Sequence, residues 1–440
     1  MTTLLMAALL ATQPVELRSA DAVARLLVSL RAADPAVCEL AARAVTGLGG
    51  WWGDGLDEPM PQPMPTPTPV PMPMPFAGRG GRMSSPRVRP TAASRWDAGV
   101  VDAFRPALTD ESRCVRRLAA RVVGRARPAW AVQEFTALAK APAPAHREIG
   151  LLGLGVVEDP AIVATVIQGL GDRDESVRGM AAWALGQLEL LQGVPPLTKL
   201  LDDPATTVRR RAVWALGQIE DEIALPALER ALRDRAPDVR RMAAWALGEL
   251  ESAKAVGVLK GAVGDADVET RATVAWALGA IEDGSAVEVL APLVKDVNAR
   301  VRLMAVWALG EIESRTAVPV LAPLVRDADR NVKLMALWAL GEIESDAGVT
   351  AAGAGLSDRD PEVRRMAAWA LGEIEASAAV ASLTPLLKDP DADVRATVAW
   401  ALGQIESRSA LPALEAVRED GSPAVRRAVL WAIGRIDDRR

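Results

Sequence analysis

Charged side chains recur in the sequence at a fixed spacing, and such a row of side chains could bind an anion or a metal ion. Eleven residues before each of nine tryptophans lies an aspartate. These are Asp172, Asp203, Asp234, Asp265, Asp296, Asp327, Asp358, Asp389 and Asp420. Five residues before the tryptophan lies a base, Lys333 once and otherwise Arg178, Arg209, Arg240, Arg271, Arg302, Arg364, Arg395 or Arg426. A pair in every repeat favours a structural role, in which Asp accepts backbone N–H groups at a helix N-terminus and Arg bridges to the neighbouring Asp.

The tryptophans are the second candidate, for binding a protein or peptide. They recur every 31 residues, at Trp183, Trp214, Trp245, Trp276, Trp307, Trp338, Trp369, Trp400 and Trp431. On a helical wheel Trp369 lies about 140° from the centre of the apolar stripe, with Met366 between them and Glu373 on the tryptophan side. Equivalent methionines are Met180, Met242, Met304 and Met335. The pattern predicts either an exposed aromatic and methionine ladder that binds a partner, or rings that pack over Ala of the adjacent helix.

Catalytic and metal-binding patterns are missing from the sequence. His146 is the single histidine, and no Ser-His-Asp set, phosphate-binding loop or metal-ligand spacing occurs. The two cysteines, Cys38 and Cys114, are either a distant disulfide or two inert thiols. We therefore predict a protein that is not an enzyme and holds no cofactor or metal.

Composition narrows the class of partner. The net charge of −6 argues against nucleic acid, whose binding needs clustered Lys and Arg. No run of 18 apolar residues could span a membrane. Residues 4–11 resemble a signal-peptide core but have no preceding Lys or Arg and no good cleavage site, so they are either a cleaved signal or a frayed helix. The sequence slightly favours the cytoplasm over export.

A constant 31-residue period predicts that these side chains lie on stacked, near-identical helical hairpins. In residues 361–374 the apolar residues fall at i, i+4, i+7, i+8 and i+11, which is one face of a helix. A shorter helix precedes it in each unit, for example at 317–325, where Pro323 predicts a kink. Pro292 and Pro385 match it in other units. The fold class is therefore all-α, an α-solenoid.

The chain divides by regularity of the repeat. We expect an N-terminal segment at 1–19, a divergent first repeat at 20–49, a Pro/Gly-rich disordered insertion at 50–96, divergent repeats at 97–158 and regular repeats at 159–440. From Pro59 to Pro75 every second residue is proline, which predicts an extended, polyproline-like chain. This insertion is either a linker without a ligand or a rod that lies on the tryptophan ladder of the same chain.

The string Val-Arg-Arg-x-Ala-Ala-Trp-Ala-Leu-Gly-Glu-Ile, as in 363–374, resembles the short HEAT-like repeat of the bilin-lyase type. The resemblance implies a right-handed superhelix whose second helices line the concave, partner-binding side. The chain departs from the family where a glycine often closes the second helix, since here that residue is Glu189, Glu220, Glu251, Glu282, Glu313, Glu344, Glu375 or Glu406. Di-iron hydroxylases built on such repeats use several His-Glu pairs, which this sequence lacks.

The leading functional hypothesis is a non-catalytic scaffold that binds a protein or extended peptide on this concave face. The tryptophans and methionines would supply apolar contact, tuned by Gln187, Gln218, Glu249, Glu311, Glu342, Glu373 and Gln404. One alternative is tetrapyrrole handling of the lyase or chaperone type. Another is end-to-end self-assembly, because the last helix keeps the apolar face of the internal ones.

Overall fold

A computed structural model describes residues 19–31 and 96–437, and all regular structure in those ranges is helical. Most of the expected first repeat lies outside the described residues. The proline-rich insertion lies outside them too, so its two alternative roles stay predictions. The chain forms two compact units, whose described residues are 19–31 with 96–246 and then 247–437. The prediction of an all-α solenoid is confirmed.

Eleven α-helices begin in the described residues of the first unit. Their bounds are α1 Ala20–Arg31, α2 Ala98–Phe104, α3 Arg113–Ala126, α4 Ala131–Leu138, α5 Pro144–Val157, α6 Val163–Gly169, α7 Glu175–Leu188, α8 Val194–Lys199, α9 Thr206–Gln218, α10 Leu225–Ala231 and α11 Pro237–Glu249. From α2 onward a short helix alternates with a long one, and each long helix packs on the next long one within the unit. The long, second helices of the hairpins therefore form one continuous layer.

The second unit repeats the same alternation. Its helices are α12 Ala253–Leu259, α13 Val268–Ala280, α14 Ala286–Leu290, α15 Ala299–Glu311, α16 Val318–Leu321, α17 Arg330–Glu342, α18 Val349–Ala354, α19 Pro361–Ile374, α20 Val380–Leu383, α21 Ala392–Ile405, α22 Leu411–Glu415 and α23 Pro423–Asp437. The core is the predicted stripe of the second helices. In α19, Val363, Ala367 and Leu371 are fully buried.

Proline shortens the first helices at the expected place. Helix α16 ends at Leu321 and continues as a 3₁₀ helix, Ala322–Arg326, in which Pro323 occupies the first turn. Pro385 has the same place in the 3₁₀ helix Thr384–Lys388. Proline lacks an N–H and clashes with the preceding turn of an α-helix, so the predicted kink is a change of helix type.

The second helices end in an unusual backbone conformation. Eight glutamates, from Glu189 to Glu406 at 31-residue intervals, have φ between 47 and 54°. This left-handed conformation commonly closes helices, but glycine normally supplies it because a Cβ is strained there. The absence of the family glycine therefore leaves the turn geometry intact and adds strain at each repeat.

Candidate functional site

The repeated arginines and aspartates form ion pairs between successive repeats. The Nε of Arg178 donates to Oδ2 of Asp203 at 2.6 Å, and its Nη2 donates to Oδ1 at 3.0 Å. Its Nη1 donates to the carbonyl of Asp172 at 2.8 Å, which ties the guanidinium to its own repeat as well. The same bidentate pair joins Arg147–Asp172, Arg209–Asp234, Arg271–Asp296, Arg302–Asp327, Arg364–Asp389 and Arg395–Asp420. Lys333 makes one bond of 2.7 Å to Asp358.

Each aspartate of this Asp–Arg ladder also fixes the loop before a second helix. Oδ1 of Asp172 accepts the backbone N–H of Asp174 at 2.9 Å, and Asp296 does the same for Asn298 at 2.8 Å. Hydrogen bonds from Arg147 and Arg271 hold the pKa of Asp172 and Asp296 below the usual value. These carboxylates already accept two to three hydrogen bonds each, so the ladder stabilises the stack rather than presenting a binding site.

Where the structure describes the first unit, the ladder has one interruption. Arg116 has the repeat position of Arg178, and its Nη1 donates to the carbonyls of Asp110 and Glu111. The residue 25 positions later, where the partner aspartate would lie, is Ala141. Burial lowers the pKa of Arg116, and its buried Nε has no hydrogen-bond partner.

Each ladder tryptophan inserts its ring edge against a glycine of the preceding second helix. A Cβ built on Gly310 would lie 2.4 Å from Cζ3 of Trp338, and one built on Gly186 would lie 2.7 Å from Cζ3 of Trp214. The other pairs are Gly155–Trp183, Gly217–Trp245, Gly248–Trp276, Gly279–Trp307, Gly341–Trp369, Gly372–Trp400 and Gly403–Trp431. Of the two alternatives drawn from the sequence, the packed one placed the rings over Ala of the adjacent helix; the glycine three residues after every tryptophan was the available signal for these contacts.

Burial separates the predicted partner-binding residues into two groups. Met180, Met242, Met304, Met335 and Met366 are 0–5% exposed, so they belong to the core and not to a surface ladder. Three tryptophans are also nearly buried, at 4–8% exposure: Trp183, Trp369 and Trp400. Half-buried rings remain at Trp214, Trp245, Trp276, Trp307, Trp338 and Trp431. The methionines are hidden because their position on the helix lies between the buried apolar stripe and the tryptophans.

Acidic side chains surround the tryptophans in the second unit. We define the indole face of α13, α15, α17, α19 and α21 as the tryptophan and the residues seven before, four before and four after it, all within about 40° on the helix. It carries six carboxylates, namely Glu269, Glu311, Glu342, Glu362, Glu373 and Asp393. Its two bases each pair with one of them, Arg300 with Glu269 at 3.4 Å and Arg365 with Glu362 at 2.6 Å. Two positive and six negative groups give the indole face a net charge of −4.

Other features bear on chemistry. Among the described residues, no group of three or more His, Cys, Asp or Glu side chains is placed to hold a metal ion. Likewise, none of the described helices is both long enough and apolar enough to cross a bilayer. Cys114 is disulfide-bonded, while Cys38 lies outside the described residues.

Known structures share this architecture at low sequence identity. Kap95p bound to RanGDP has a TM-score of 0.54 and 16% identity, over 77% of this chain and 55% of that one. The karyopherin Kap121p bound to the extreme C-terminus of the phosphatase Cdc14p has a TM-score of 0.52 and 15% identity, over 77% and 45%. The chain thus spans about half of these karyopherins. Human deoxyhypusine hydroxylase, at 25% identity over 58% and 99%, has a TM-score of 0.27, which is too low to say anything of activity.

Sequence comparison gives the family. A comparison with curated proteins finds no match. The family model described as HEAT repeats matches eight overlapping segments: 132–206, 163–240, 194–267, 228–302, 257–330, 287–352, 319–396 and 380–440. These cover most of the chain, and they agree with the helical hairpins and the predicted resemblance. The chain belongs to the HEAT-repeat family.

Proposed function

We propose that this HEAT-repeat solenoid is a non-catalytic scaffold that binds a protein or extended peptide along its second helices. The observation that carries the proposal is the row of half-buried tryptophans at 31-residue spacing. Tryptophan is enriched in the residues that dominate protein interfaces, because one ring offers a large apolar area and an N–H. Kap95p and Kap121p, whose fold is similar, are bound to proteins in their structures, which fits this use.

Rigidity of the row supports binding. Each ring is held by contact with a glycine of the preceding repeat, as Trp338 is by Gly310. A ring that is already fixed loses little side-chain entropy when a partner covers its exposed part. The packing that the sequence offered as the alternative to binding is therefore compatible with it, since one edge packs and the other edge remains accessible.

The test begins with peptides that are selected from a random display library for binding to the full-length chain. The affinity of each selected peptide is then measured by fluorescence anisotropy. We expect Ala280→Arg, which adds bulk to the half-buried end of the indole face without removing a contact, to weaken binding about tenfold. Trp338→Phe, which keeps an aromatic ring against Gly310, is expected to weaken it several-fold. The matched control is Ala322→Arg, a half-buried alanine in the first-helix layer.

If Ala280→Arg and Ala322→Arg change the affinity for the peptides equally, the peptides do not bind on the indole face. Circular dichroism of each variant separates loss of binding from loss of fold.

A further inference from the structure

In the described part of the chain, two guanidinium groups each lie over an indole ring and beside a carboxylate. Cζ of Arg105 is 4.6 Å from the centroid of the Trp130 ring, and its Nη2 donates to Oε2 of Glu134 at 2.6 Å. Cζ of Arg435 is 5.4 Å from the Trp431 ring, and its Nε donates to Oε1 of Glu406 at 2.8 Å. An indole attracts a cation over its face, while a carboxylate pairs with the N–H groups at the edge of the cation.

The first of these arrangements uses residues one helical turn apart. Trp130 has helical dihedral angles, φ −83° and ψ −14°, and immediately precedes α4, whose first turn contains Glu134. The same Trp-x-x-x-Glu spacing recurs in α15, α17 and α19, as Trp307/Glu311, Trp338/Glu342 and Trp369/Glu373. All three glutamates and the first two rings are half-buried. The spacing therefore places a carboxylate beside each indole, as at Trp130.

Trp369 differs in exposure from the other two tryptophans of these pairs. Its ring is 5% exposed, and its buried indole N–H has no hydrogen-bond partner. Because a bound segment does not reach this buried ring, the contact at α19 is made by Glu373, which is half-buried.

We infer that the partner on α15, α17 and α19 is an extended segment with an arginine at about every third residue. The inference rests on the proposed function and names the chemistry of its partner. Stacked helices lie about 10 Å apart, and three residues of a polyproline-type chain span about 9 Å and return to the same side. Arginine fits better than lysine because its planar guanidinium both stacks on an indole and forks to a carboxylate.

Charge supports the same partner. The indole face has a net charge of −4, so a cationic segment is attracted before contact and an acidic one is repelled. In α7 and α9 of the first unit, the residues four after the tryptophan are Gln187 and Gln218 instead of glutamate. Glu249 has this position in α11, but three successive second helices carry a glutamate there only at α15, α17 and α19. The complement for a segment with several arginines is therefore specific to those three helices.

The experiment measures anisotropy of labelled peptides of about 18 residues, roughly 56 Å when extended, added to the full-length chain. The repeating peptide Pro-Ser-Arg is compared with Pro-Ser-Lys, with Pro-Ser-Glu, and with a peptide of the first composition whose arginines are consecutive. We expect the spaced arginine peptide to bind best, the lysine and consecutive-arginine peptides about fivefold or more weaker, and the glutamate peptide not to bind.

Two charge-matched triple variants locate the site. Glu311→Gln, Glu342→Gln and Glu373→Gln together should weaken the spaced arginine peptide about tenfold or more, because three charge-assisted contacts are lost. Glu288→Gln, Glu415→Gln and Glu419→Gln change the net charge equally, but at exposed positions on or next to the first helices, and should change affinity less than twofold. Addition of salt should weaken binding to the wild type more than binding to the first triple variant.

Equal losses in both triple variants, or equal binding of the lysine and arginine peptides, would overturn the inference. So would binding that appears only after deletion of residues 78–90, because the chain's own arginine-containing stretch would then be the occupant instead of a partner. If no arginine peptide binds while library-selected peptides still respond to Ala280→Arg, the inference fails and the proposed function stands. If neither class of peptide responds, both fail.

Discussion

At the scale of single residues, the glycine three positions after each tryptophan is the contact on which the stack depends. Gly310 leaves no room for a side chain, since its Cβ would lie 2.4 Å from Cζ3 and 3.0 Å from Cη2 of Trp338. Gly353, in α18, has no atom within 4 Å of the equivalent point. The two glycines therefore separate a steric requirement from ordinary helix propensity.

We predict opposite effects of alanine at these two glycines. Gly310→Ala should lower the free energy of unfolding by about 1–3 kcal/mol, because Trp338 must move from its packed position. Gly353→Ala should raise it by about 0.5–1 kcal/mol, because alanine favours a helix. Urea denaturation followed by tryptophan emission measures both. Stabilisation by Gly310→Ala would mean that the rings do not pack as described.

The left-handed glutamates are a second feature of residue scale. Glu313 is exposed and has a φ of 49°. Glu313→Gly should raise the free energy of unfolding by about 0.5–1 kcal/mol, because relief of the left-handed strain exceeds the added entropy of the unfolded chain. The control is Glu342→Gly. Glu342 is the last residue of α17 and has ordinary helical geometry, so this change should lower the free energy of unfolding. Destabilisation by both changes would refute the strain.

Sequence reasoning at this scale succeeded in part. The spacing of Asp and Arg was enough to anticipate inter-repeat pairs, because one residue type recurred at one register. The accessibility of the methionines was misjudged, since a wheel gives the angle of Met366 but not how closely the next helix approaches. That approach depends on Gly341 and Ala370, which lie on two different helices.

At the scale of the element, the Asp–Arg ladder joins successive hairpins. Its interruption at Ala141 allows the contribution of one ion pair to stability to be tested by restoring the missing aspartate. Ala141→Asp should place a carboxylate within reach of the buried Nε of Arg116 and complete the ladder between Arg116 and the 141–143 loop. We expect a gain of about 1–2 kcal/mol in the free energy of unfolding. Thermal and urea unfolding of the full chain measure it.

The matched control for that change is Ala141→Asn, which can cap the backbone N–H of residue 143 but carries no charge. It should recover only a small part of the gain. In an Arg116→Met background, Ala141→Asp should bring no more than the small gain of Ala141→Asn, because the double-mutant cycle removes the ion pair and leaves only the cap. A gain of equal size without Arg116 would contradict the pairing.

The element boundaries show what a sequence can and cannot define. Pro323 predicted a kink, and the structure shows a change from α to 3₁₀ helix at that residue. The end of each second helix was less predictable, because glutamate is a poor left-handed residue by itself and adopts this conformation only through the surrounding packing. The exact ends of the short first helices could not be derived, since a 3₁₀ turn and an α turn share the same apolar spacing.

At the scale of the whole molecule, the ladder couples stability to pH. The hydrogen bond from Arg271 lowers the pKa of Asp296 in the folded chain below 3.8, the value of a free aspartate. A lowered pKa contributes stability that is present above about pH 3.8 and is lost as pH falls through the folded value. The same sign holds at Asp172 and Asp420, so acid should weaken many repeats together.

We predict that Arg271→Met lowers the free energy of unfolding by about 1.5–3 kcal/mol at pH 7. The difference from the wild type should shrink as the pH falls below about 3.8 and through the folded pKa of Asp296, because protonation of the aspartate removes the ion pair. Arg326→Met, at an exposed arginine next to Asp327, is the control and should show no such change. A difference between Arg271→Met and the wild type that is constant with pH would exclude the proposed coupling.

The proposed function rests on the repeated surface and not on a single pocket. The fold class and the HEAT-repeat family were predictable, because the period is constant from residue 159 onward. The partner-binding role was only a hypothesis, since the sequence could not distinguish packed from exposed rings. Tetrapyrrole handling and end-to-end assembly stay predictions, which pigment absorbance spectra and light scattering address.

The most direct test of the central claim is acrylamide quenching of tryptophan emission, with and without a bound peptide. Nine of the thirteen tryptophans belong to the ladder, so they dominate the signal. We predict that half-buried rings are partly quenched in the free chain and that a saturating library-selected peptide reduces the quenching. The Ala280→Arg variant should lose most of that protection. Quenching that is unchanged when the peptide is bound would contradict the account, because the partner would then leave the indoles uncovered.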